Sequence, residues 1–226
     1  MIGARLVWYM TTIQDLLKAT SKVYEGLKRF ETEKQIKRYV LSVYKKELKD
    51  FSFKGDIVAG VRASIGEGDA TDYRLKDGDS IILDLLPRKE GVCADTTRTF
   101  FVGQPSEEQV IVYNVVKKAL EQTEKILKPK MKACEIYGFM KEQLKPFEQT
   151  FFHHAGHLIG FRRLKQPQFL QDNKTPLKVG DVVTLEPGVY VKGKFGVRLE
   201  NNYIITEDGC KNLFDYPLDI EKFILK

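Results

Sequence analysis

Two apolar stretches of the chain each carry an acidic residue where a buried strand would keep it from water. Asp84 lies inside SIILDLL (80–86), and Glu186 follows VVTL (182–185). Burying an unpaired carboxylate is costly, so each strand needs a cation close to its acid. A bound metal ion would supply that cation and would give the two strands a chemical function.

A second acid follows Asp84 at the distance of a hairpin partner. If the turn is centred between Lys89 and Glu90, Asp84 lies directly opposite Asp95. Side chains that face each other on one side of a sheet have Cβ atoms about 4.5–5.5 Å apart, where like charges repel. The pair is therefore expected to bind a cation between its carboxylates.

The second part of the chain repeats this arrangement. The segments LKDGDSIILDL (75–85) and LKVGDVVTLEP (177–187) share Leu, Lys, Gly, Asp and Leu at matching positions, and each has an acid at the same place. A turn centred on Gly193 places Glu186 opposite Glu200. The repeat predicts two related halves, about 1–103 and 104–226, which bring carboxylates into a shared interior.

All three histidines of the chain fall in the segment HHAGH, as His153, His154 and His157. Four carboxylates and one imidazole form a hard, oxygen-rich donor set, which suits two adjacent divalent ions better than a structural zinc. Two ions about 3.5–4 Å apart can hold a bridging hydroxide and polarise a carbonyl. Each of these residues taken alone is more often an ordinary strand-end acid or a hydrogen-bonded histidine. Only their combination favours a metal site.

Composition excludes several other classes of function. The net charge of +6 comes from lysines that alternate with glutamates, as on solvated helix faces, which disfavours nucleic-acid binding. No apolar run approaches the roughly 20 residues that span a membrane, and the N-terminus lacks the cleavage site of a secretory signal. The three cysteines are scattered and form no CxxC pair. The sequence thus predicts a protein of the reducing cytoplasm without a membrane partner.

The hydrophobic spacing alternates between helical and strand patterns and predicts an α/β fold in a single domain, 1–226. A capping box of Ser106 and Gln109 marks the start of one helix. The predicted elements are two helices between 12 and 49, strands at 57–59, 80–86 and 92–102, helices at 106–127 and 133–144, and short strands between 179 and 205.

The strings LDLL, CADTTRTF, HHAGHLIG, LEPGVY and VRLEN occur in this order and resemble the pita-bread metallopeptidases, which include methionine aminopeptidase, Xaa-Pro aminopeptidase and prolidase. The resemblance covers nearly the whole chain. It implies a pseudo-twofold domain with a curved, mainly antiparallel sheet flanked by helices. It also implies two divalent ions, which are manganese, cobalt, iron or zinc, with manganese or cobalt favoured. The N-terminal domain of longer relatives is expected to be absent.

The same resemblance implies a role for each ligand. Asp84 would hold one ion, and His157 with Glu186 would hold the other. Asp95 and Glu200 would bridge the two ions. Glu186 also resembles the family's general base, which takes a proton from the attacking water and passes it on.

The strings DTTRT, EPGVY and VRLEN resemble the proline-directed branch more than methionine aminopeptidase. His153 matches a histidine near the substrate and is expected to take part in catalysis. Tyr190 and Arg198 match residues that line or brace the site. The alternatives are core packing for Tyr190 and a structural salt bridge to a ligand carboxylate for Arg198. His154 is expected to face solvent or to lie behind the ligands.

Two positions depart from the family pattern. Glu67 and Leu164 stand where relatives have histidines beside the reacting amide. Loss of such a donor typically costs about 10²–10³ in rate. Metal binding is expected to survive both changes, whereas efficient cleavage depends on how the site compensates for them.

The leading hypothesis is a dimetal peptidase that removes an N-terminal residue, ahead of proline, through a metal-bridging hydroxide. Its partner would be a peptide with a free N-terminus, and a homodimer is an expectation of the resemblance alone. One alternative is a catalytically impaired module that binds peptides or a partner in a metal-dependent way. The others are a methionine-aminopeptidase-like enzyme and another small-molecule hydrolase on the same scaffold.

Overall fold

The computed structural model describes residues 2–159 and 167–226, with side chains described from residue 7 onward. One helix begins after Ser106, whose hydroxyl accepts from Gln109 N while the Gln109 side chain accepts from Ser106 N. The predicted capping box is thereby confirmed. The helices of the described chain are α1 (Ile2–Glu25), α2 (Glu33–Glu47), α3 (Glu107–Ile126) and α4 (Ala133–Gln143).

The first sheet follows the two N-terminal helices and is mainly antiparallel. Its order is β1-β2-β4-β11, with β3 paired to the end of β2 and β11 parallel to β4. Its strands are β1 (Phe51–Ala59), β2 (Ser80–Lys89), β3 (Val92–Cys93), β4 (Thr96–Val102) and β11 (Ile224–Leu225).

The register of this sheet corrects one prediction. The β2–β3 turn consists of Glu90 and Gly91, with φ of 53° and 82°, so the hairpin is centred one residue later than expected. Asp84 therefore pairs with Thr97, and the prediction that it directly faces Asp95 is wrong. Two-residue hairpin turns of this type need positive φ at both positions, which favours glycine at the second. Asp95 still shares the face of Thr97 and lies diagonal to Asp84.

The second sheet has the order β10-β9-β6-β5, and a separate hairpin joins β7 to β8. Leu185 pairs with Asn201 on one side of the Glu186 position, and Gly188 pairs with Arg198 on the other. Glu186 and Glu200 thus occupy facing positions, in the register predicted from a turn at Gly193. These strands are β5 (Leu158–Ile159), β6 (Val182–Leu185), β7 (Gly188–Val191), β8 (Phe195–Arg198), β9 (Asn201–Ile205) and β10 (Cys210–Asn212).

The two repeated segments form matching loops. The carboxylate of Asp79 accepts from the backbone N–H three residues earlier at 2.8 Å, and Asp181 does the same at 2.8 Å. Gly78 and Gly180 adopt left-handed φ values of 88° and 86°. The N–H of each glycine donates to the strand that pairs with the segment, at 2.8 and 2.9 Å. These matched bonds support the proposal of two related halves.

One hydrophobic core cluster joins both parts of the chain, and it includes Ile36 and Leu83 as well as Ile136 and Leu185, all fully buried. The helices cover the sheets through this core. Of the helices that the structure describes, none carries an apolar stretch long enough to cross a lipid bilayer.

Candidate active site

A cavity of about 1070 Å³ opens on the acid-bearing face of the strands. Side chains from both parts of the chain line it, so that residues far apart in sequence meet there. Among its lining residues are all five predicted metal ligands, together with several other predicted site residues: Asp84, Asp95, His157, Glu186, Glu200, His153, His154, Arg198 and Glu67.

Three of the predicted ligands form a compact cluster. Asp95, His157 and Glu200 each offer one ligand atom, and these atoms lie within 4.8 Å of one another. The three residues are 5%, 4% and 1% exposed, so water screens their charges poorly. His157 Nε2 lies 3.3 Å from Asp95 Oδ2 and 3.6 Å from Glu186 Oε1.

The ring of His157 is held in one orientation. Its Nδ1 lies 3.1 Å from the carbonyl oxygen of Leu158, which assigns a ring proton to Nδ1 and turns Nε2 toward the acids. A Cβ on Gly156 would lie 2.1 Å from the Thr184 carbonyl, so only glycine permits this close approach. Thr184 links His157 to Glu186, because its hydroxyl accepts from His157 N and donates to Glu186 Oε1, both at 3.1 Å.

Asp84 has a cation beside it, but that cation is a side chain. Arg198 Nη2 lies 2.6 Å from Asp84 Oδ2, which is the salt bridge considered as the alternative for Arg198. Arg198 Nη1 donates to the Gly66 carbonyl at 2.6 Å and to the Tyr190 hydroxyl at 2.9 Å. Tyr190 also bonds His153 Nε2 at 2.7 Å. Arg198 therefore binds an acid of the site and, through Tyr190, is connected to His153.

The structure places His154 against a predicted ligand. Its Nδ1 lies 3.2 Å from Glu186 Oε1, and its side chain is 22% exposed. This is a position behind the ligands, one of the two positions expected for His154, although the sequence did not indicate which ligand it contacts. The only signal in the sequence is its position next to His153, within the segment that carries all three histidines.

Two further residues support the ligands: Thr97, which lies in the segment DTTRT, and Asn202, which directly follows the segment VRLEN. The Thr97 hydroxyl donates to Glu200 Oε2 at 2.8 Å, from the β4 position opposite Asp84. Asn202 accepts from Asp95 N at 3.2 Å and also donates to the Asp95 carbonyl. Both fix ligands through hydrogen bonds between the two sheets.

Glu67 lines the cavity, as its predicted position beside the reacting group requires. Leu164, the other departure from the family pattern, lies outside the described residues.

Crowded acids raise the proton affinity of the site. Burial raises the pKa of Asp84 to about 8 despite the lowering effect of Arg198, and the nearby acids add to the increase. Burial also raises the pKa of Glu200 well above its ordinary value, with Asp95 the main neighbouring charge. Burial opposes the charge on His157, but the Asp95 hydrogen bond and Glu186 outweigh it and raise the pKa of His157 to about 9. Divalent cations would replace these protons, so the donor set fits a metal centre.

The raised pKa values in the site predict how the stability of the metal-free protein depends on pH. Asp84, Glu200 and His157 have folded-state pKa values above those of the unfolded chain, so the folded protein holds protons that unfolding would release. We expect the metal-free protein to lose stability as pH rises from about 6 to about 9, and divalent metal to bind more tightly over the same range. Thermal denaturation across this range, with and without manganese, measures both effects. A metal-free midpoint that stays constant or rises would contradict them.

Residues 12–207 match the model of metallopeptidase family M24. The chain is 32% identical over 200 residues to an Xaa-Pro dipeptidase of Pyrococcus furiosus, a match that covers 88% of this chain and 57% of that protein. It is 30% identical over 200 residues to an Xaa-Pro dipeptidase of Pyrococcus horikoshii, covering 88% and 56%. The chain thus spans a little over half the length of these relatives.

Solved structures show the same fold. An X-Pro aminopeptidase from Thermotoga maritima superposes with a TM-score of 0.85 at 30% identity, covering 95% of this chain and 60% of that one. A prolidase from Pyrococcus furiosus also gives 0.85 at 30% identity, covering 92% and 63%. The predicted α/β pita-bread fold is confirmed. Because the family model matches most of its length, the chain belongs to metallopeptidase family M24.

Proposed function

We propose that the protein is a dimetal peptidase that removes the N-terminal residue from peptides whose second residue is proline. The observation that carries this proposal is the convergence of Asp95, His157 and Glu200 in one buried cluster, with Glu186 3.6 Å from the same imidazole. The relatives named Xaa-Pro dipeptidase, prolidase and X-Pro aminopeptidase support the choice of substrate.

The four acids and one imidazole would hold the ions as the family resemblance implies. Asp84 would hold one ion, and His157 and Glu186 would hold the other. Asp95 and Glu200 would contribute to both ions. When bound, divalent ions polarise the scissile carbonyl and lower the pKa of a water molecule. Manganese or cobalt remains the favoured metal.

Glu186 would carry the proton during hydrolysis. It would take a proton from the attacking water and deliver it to the nitrogen of the leaving group as the C–N bond breaks. Burial favours the neutral acid, but the charges of the three histidines outweigh it and lower the pKa of Glu186. The carboxylate is therefore ionised, which is the form that a proton acceptor must have.

His153, Tyr190 and Arg198 would border the substrate. Their connected hydrogen bonds, 2.7 Å from His153 to Tyr190 and 2.9 Å from Tyr190 to Arg198, hold three polar groups in fixed positions. Preorganised donors of this kind stabilise charge that develops in a transition state. A cytoplasmic location and a homodimer stay predictions.

A peptide panel tests the proposal. The protein loaded with manganese or cobalt is incubated with matched Xaa-Pro and Xaa-Ala peptides, and the released residue is quantified by mass spectrometry. We expect release from Xaa-Pro peptides, faster by about tenfold or more than from Xaa-Ala peptides. No turnover on the Xaa-Pro set, with two ions per chain confirmed by elemental analysis, would contradict it.

Glu67 favours a second candidate, a metal-dependent peptide-binding module. It places a carboxylate in the cavity at a position where relatives have a histidine donor. Calorimetric binding of Xaa-Pro peptides that requires metal, without any cleavage, would support this candidate over the peptidase.

A further inference from the structure

Of the three histidines, His154 is the one without an assigned role in the proposed reaction. It lines the cavity, and its Nδ1 approaches Glu186 Oε1 to 3.2 Å. This approach lacks the alignment of a hydrogen bond, so Nδ1 is a buried nitrogen with no hydrogen-bond partner among the residues that the structure describes. Buried polar atoms are normally satisfied, and an exception calls for an explanation.

The other two histidines use Nδ1 differently. His153 Nδ1 lies 2.8 Å from the His154 carbonyl, and His157 Nδ1 lies 3.1 Å from the Leu158 carbonyl. Backbone oxygens therefore fix both of these rings. The Nδ1 of His154 faces a side-chain acid instead, and that acid is the group proposed to carry the proton.

Glu186 Oε1 is the point where these contacts meet. The Thr184 hydroxyl donates to it at 3.1 Å from within β6, while His154 approaches from the segment that precedes β5. A proton-carrying carboxylate must stay within hydrogen-bond reach of its partners. The Thr184 hydroxyl holds Oε1 from one side, and a donor at His154 Nδ1 would hold the same oxygen from the other.

We infer that His154 is a positioning residue for Glu186, which it holds by donating from Nδ1 to Oε1 once the site is loaded. The inference rests on the proposed function, because it assigns Glu186 the proton-carrying role. Hydrogen bonds in catalytic sites are often poorly aligned in the empty state and tighten in the complex. The contact of 3.2 Å needs only such a realignment.

Two amide variants separate the ring nitrogens. In His154→Asn the side-chain N–H can occupy the place of Nδ1, whereas in His154→Gln it reaches toward the place of Nε2. We expect His154→Ala and His154→Gln to lower kcat about 10–100-fold with KM changed less than about threefold. His154→Asn is expected to recover kcat to within about threefold of the wild type, and all variants to bind two ions. A purely structural role would not distinguish Asn from Gln.

An unchanged kcat in His154→Ala, or equal losses in the Asn and Gln variants, would overturn the inference. So would the loss of an ion in His154→Ala, since His154 would then be a metal ligand.

A second readout does not depend on turnover. The chain has three histidines, so ¹⁵N-histidine NMR resolves three rings, and single substitutions assign them. We expect the Nδ1 of His154 to carry a proton in both the metal-free and the magnesium-loaded protein. An unprotonated Nδ1 overturns the inference. If wild-type protein with two bound ions cleaves no peptide, the proposed function fails, and the NMR result still decides whether His154 Nδ1 carries the proton that donation to Glu186 requires.

Discussion

Replacing Asp95 by asparagine is expected to lower kcat on Xaa-Pro peptides by about a thousandfold or more. Asp95 is 5% exposed, and its Oδ2 lies 3.3 Å from His157 Nε2. The substitution removes one negative charge from the cluster and places an amide N–H₂ where a cation should bind. Steady-state kinetics with elemental analysis of bound metal measures the loss, which we expect to accompany weaker binding of at least one ion.

Asp56 offers a matched control in the same cavity. It pairs with Asp84 across β1 and β2, and its carboxylate accepts from Gly68 N at 3.1 Å. Asparagine keeps that acceptor, so Asp56→Asn is expected to change kcat by less than about threefold. An equal loss of kcat in Asp56→Asn would show that removing any negative charge from the cavity lowers activity. A normal kcat in Asp95→Asn would show that Asp95 takes no part in the site.

The sequence pattern located the acids of the site because the two acids of each hairpin lie close together in the sequence. In the second hairpin, a turn at Gly193 predicts the facing positions of Glu186 and Glu200, and the pairing of Gly188 with Arg198 agrees with it. In the first hairpin, the prediction failed by one residue. The positive φ of Glu90 and Gly91 decides that register, and periodicity alone does not report backbone conformation.

Contacts between distant parts of the chain could not be predicted in the same way. The ion pair of Asp84 with Arg198 and the bond from Thr97 to Glu200 join the first sheet to the end of β8 and the residues that follow it. Alternation of apolar and polar residues indicates which face a side chain occupies, but not which strand of another sheet lies against it. The sequence indicated that Asp84 needs a cation and that Arg198 could pair with a ligand carboxylate, but it did not indicate that Arg198 pairs with Asp84.

Helix boundaries, too, could be predicted only where a local sequence signal marks them. Ser106 fixes the start of α3 through a local hydrogen bond, and the sequence predicts it correctly. The first helix begins at Ile2 rather than near 12. Its early residues lack a capping signal, so the pattern did not mark where the helix begins.

Arg98, in the DTTRT segment, is a fully buried cation between the two sheets. Its Nη1 donates to the carbonyls of Thr97 at 2.9 Å and Glu200 at 2.8 Å, and its Nη2 donates to Asn201 Oδ1 at 2.8 Å. The guanidinium carbon lies 5.0 Å from the ring centre of Phe214. Burial lowers the pKa of Arg98, and carbonyl dipoles and an aromatic face offset the cost of its charge.

We expect Arg98→Met to lower the free energy of unfolding by about 3–5 kcal/mol, because it leaves several buried acceptors without a donor. Arg98→Lys should fall between Met and the wild type, since an ammonium cannot reproduce the planar set of donors. Urea denaturation of the metal-free proteins measures these differences. The lost bond to the Glu200 carbonyl is expected to weaken metal binding as well, which a titration of the folded variant with manganese would show.

Arg29 supplies the control for the loss of a cation. Its ion pair with Asp77 has an N–O distance of 2.7 Å, but the side chains are 43% and 75% exposed. Exposed pairs contribute little, so Arg29→Met is expected to cost less than about 1 kcal/mol. If Arg98→Met were no more destabilising than Arg29→Met, the carbonyls around Arg98 would have to be satisfied in some other way, and the guanidinium would not be what holds Glu200 against β4.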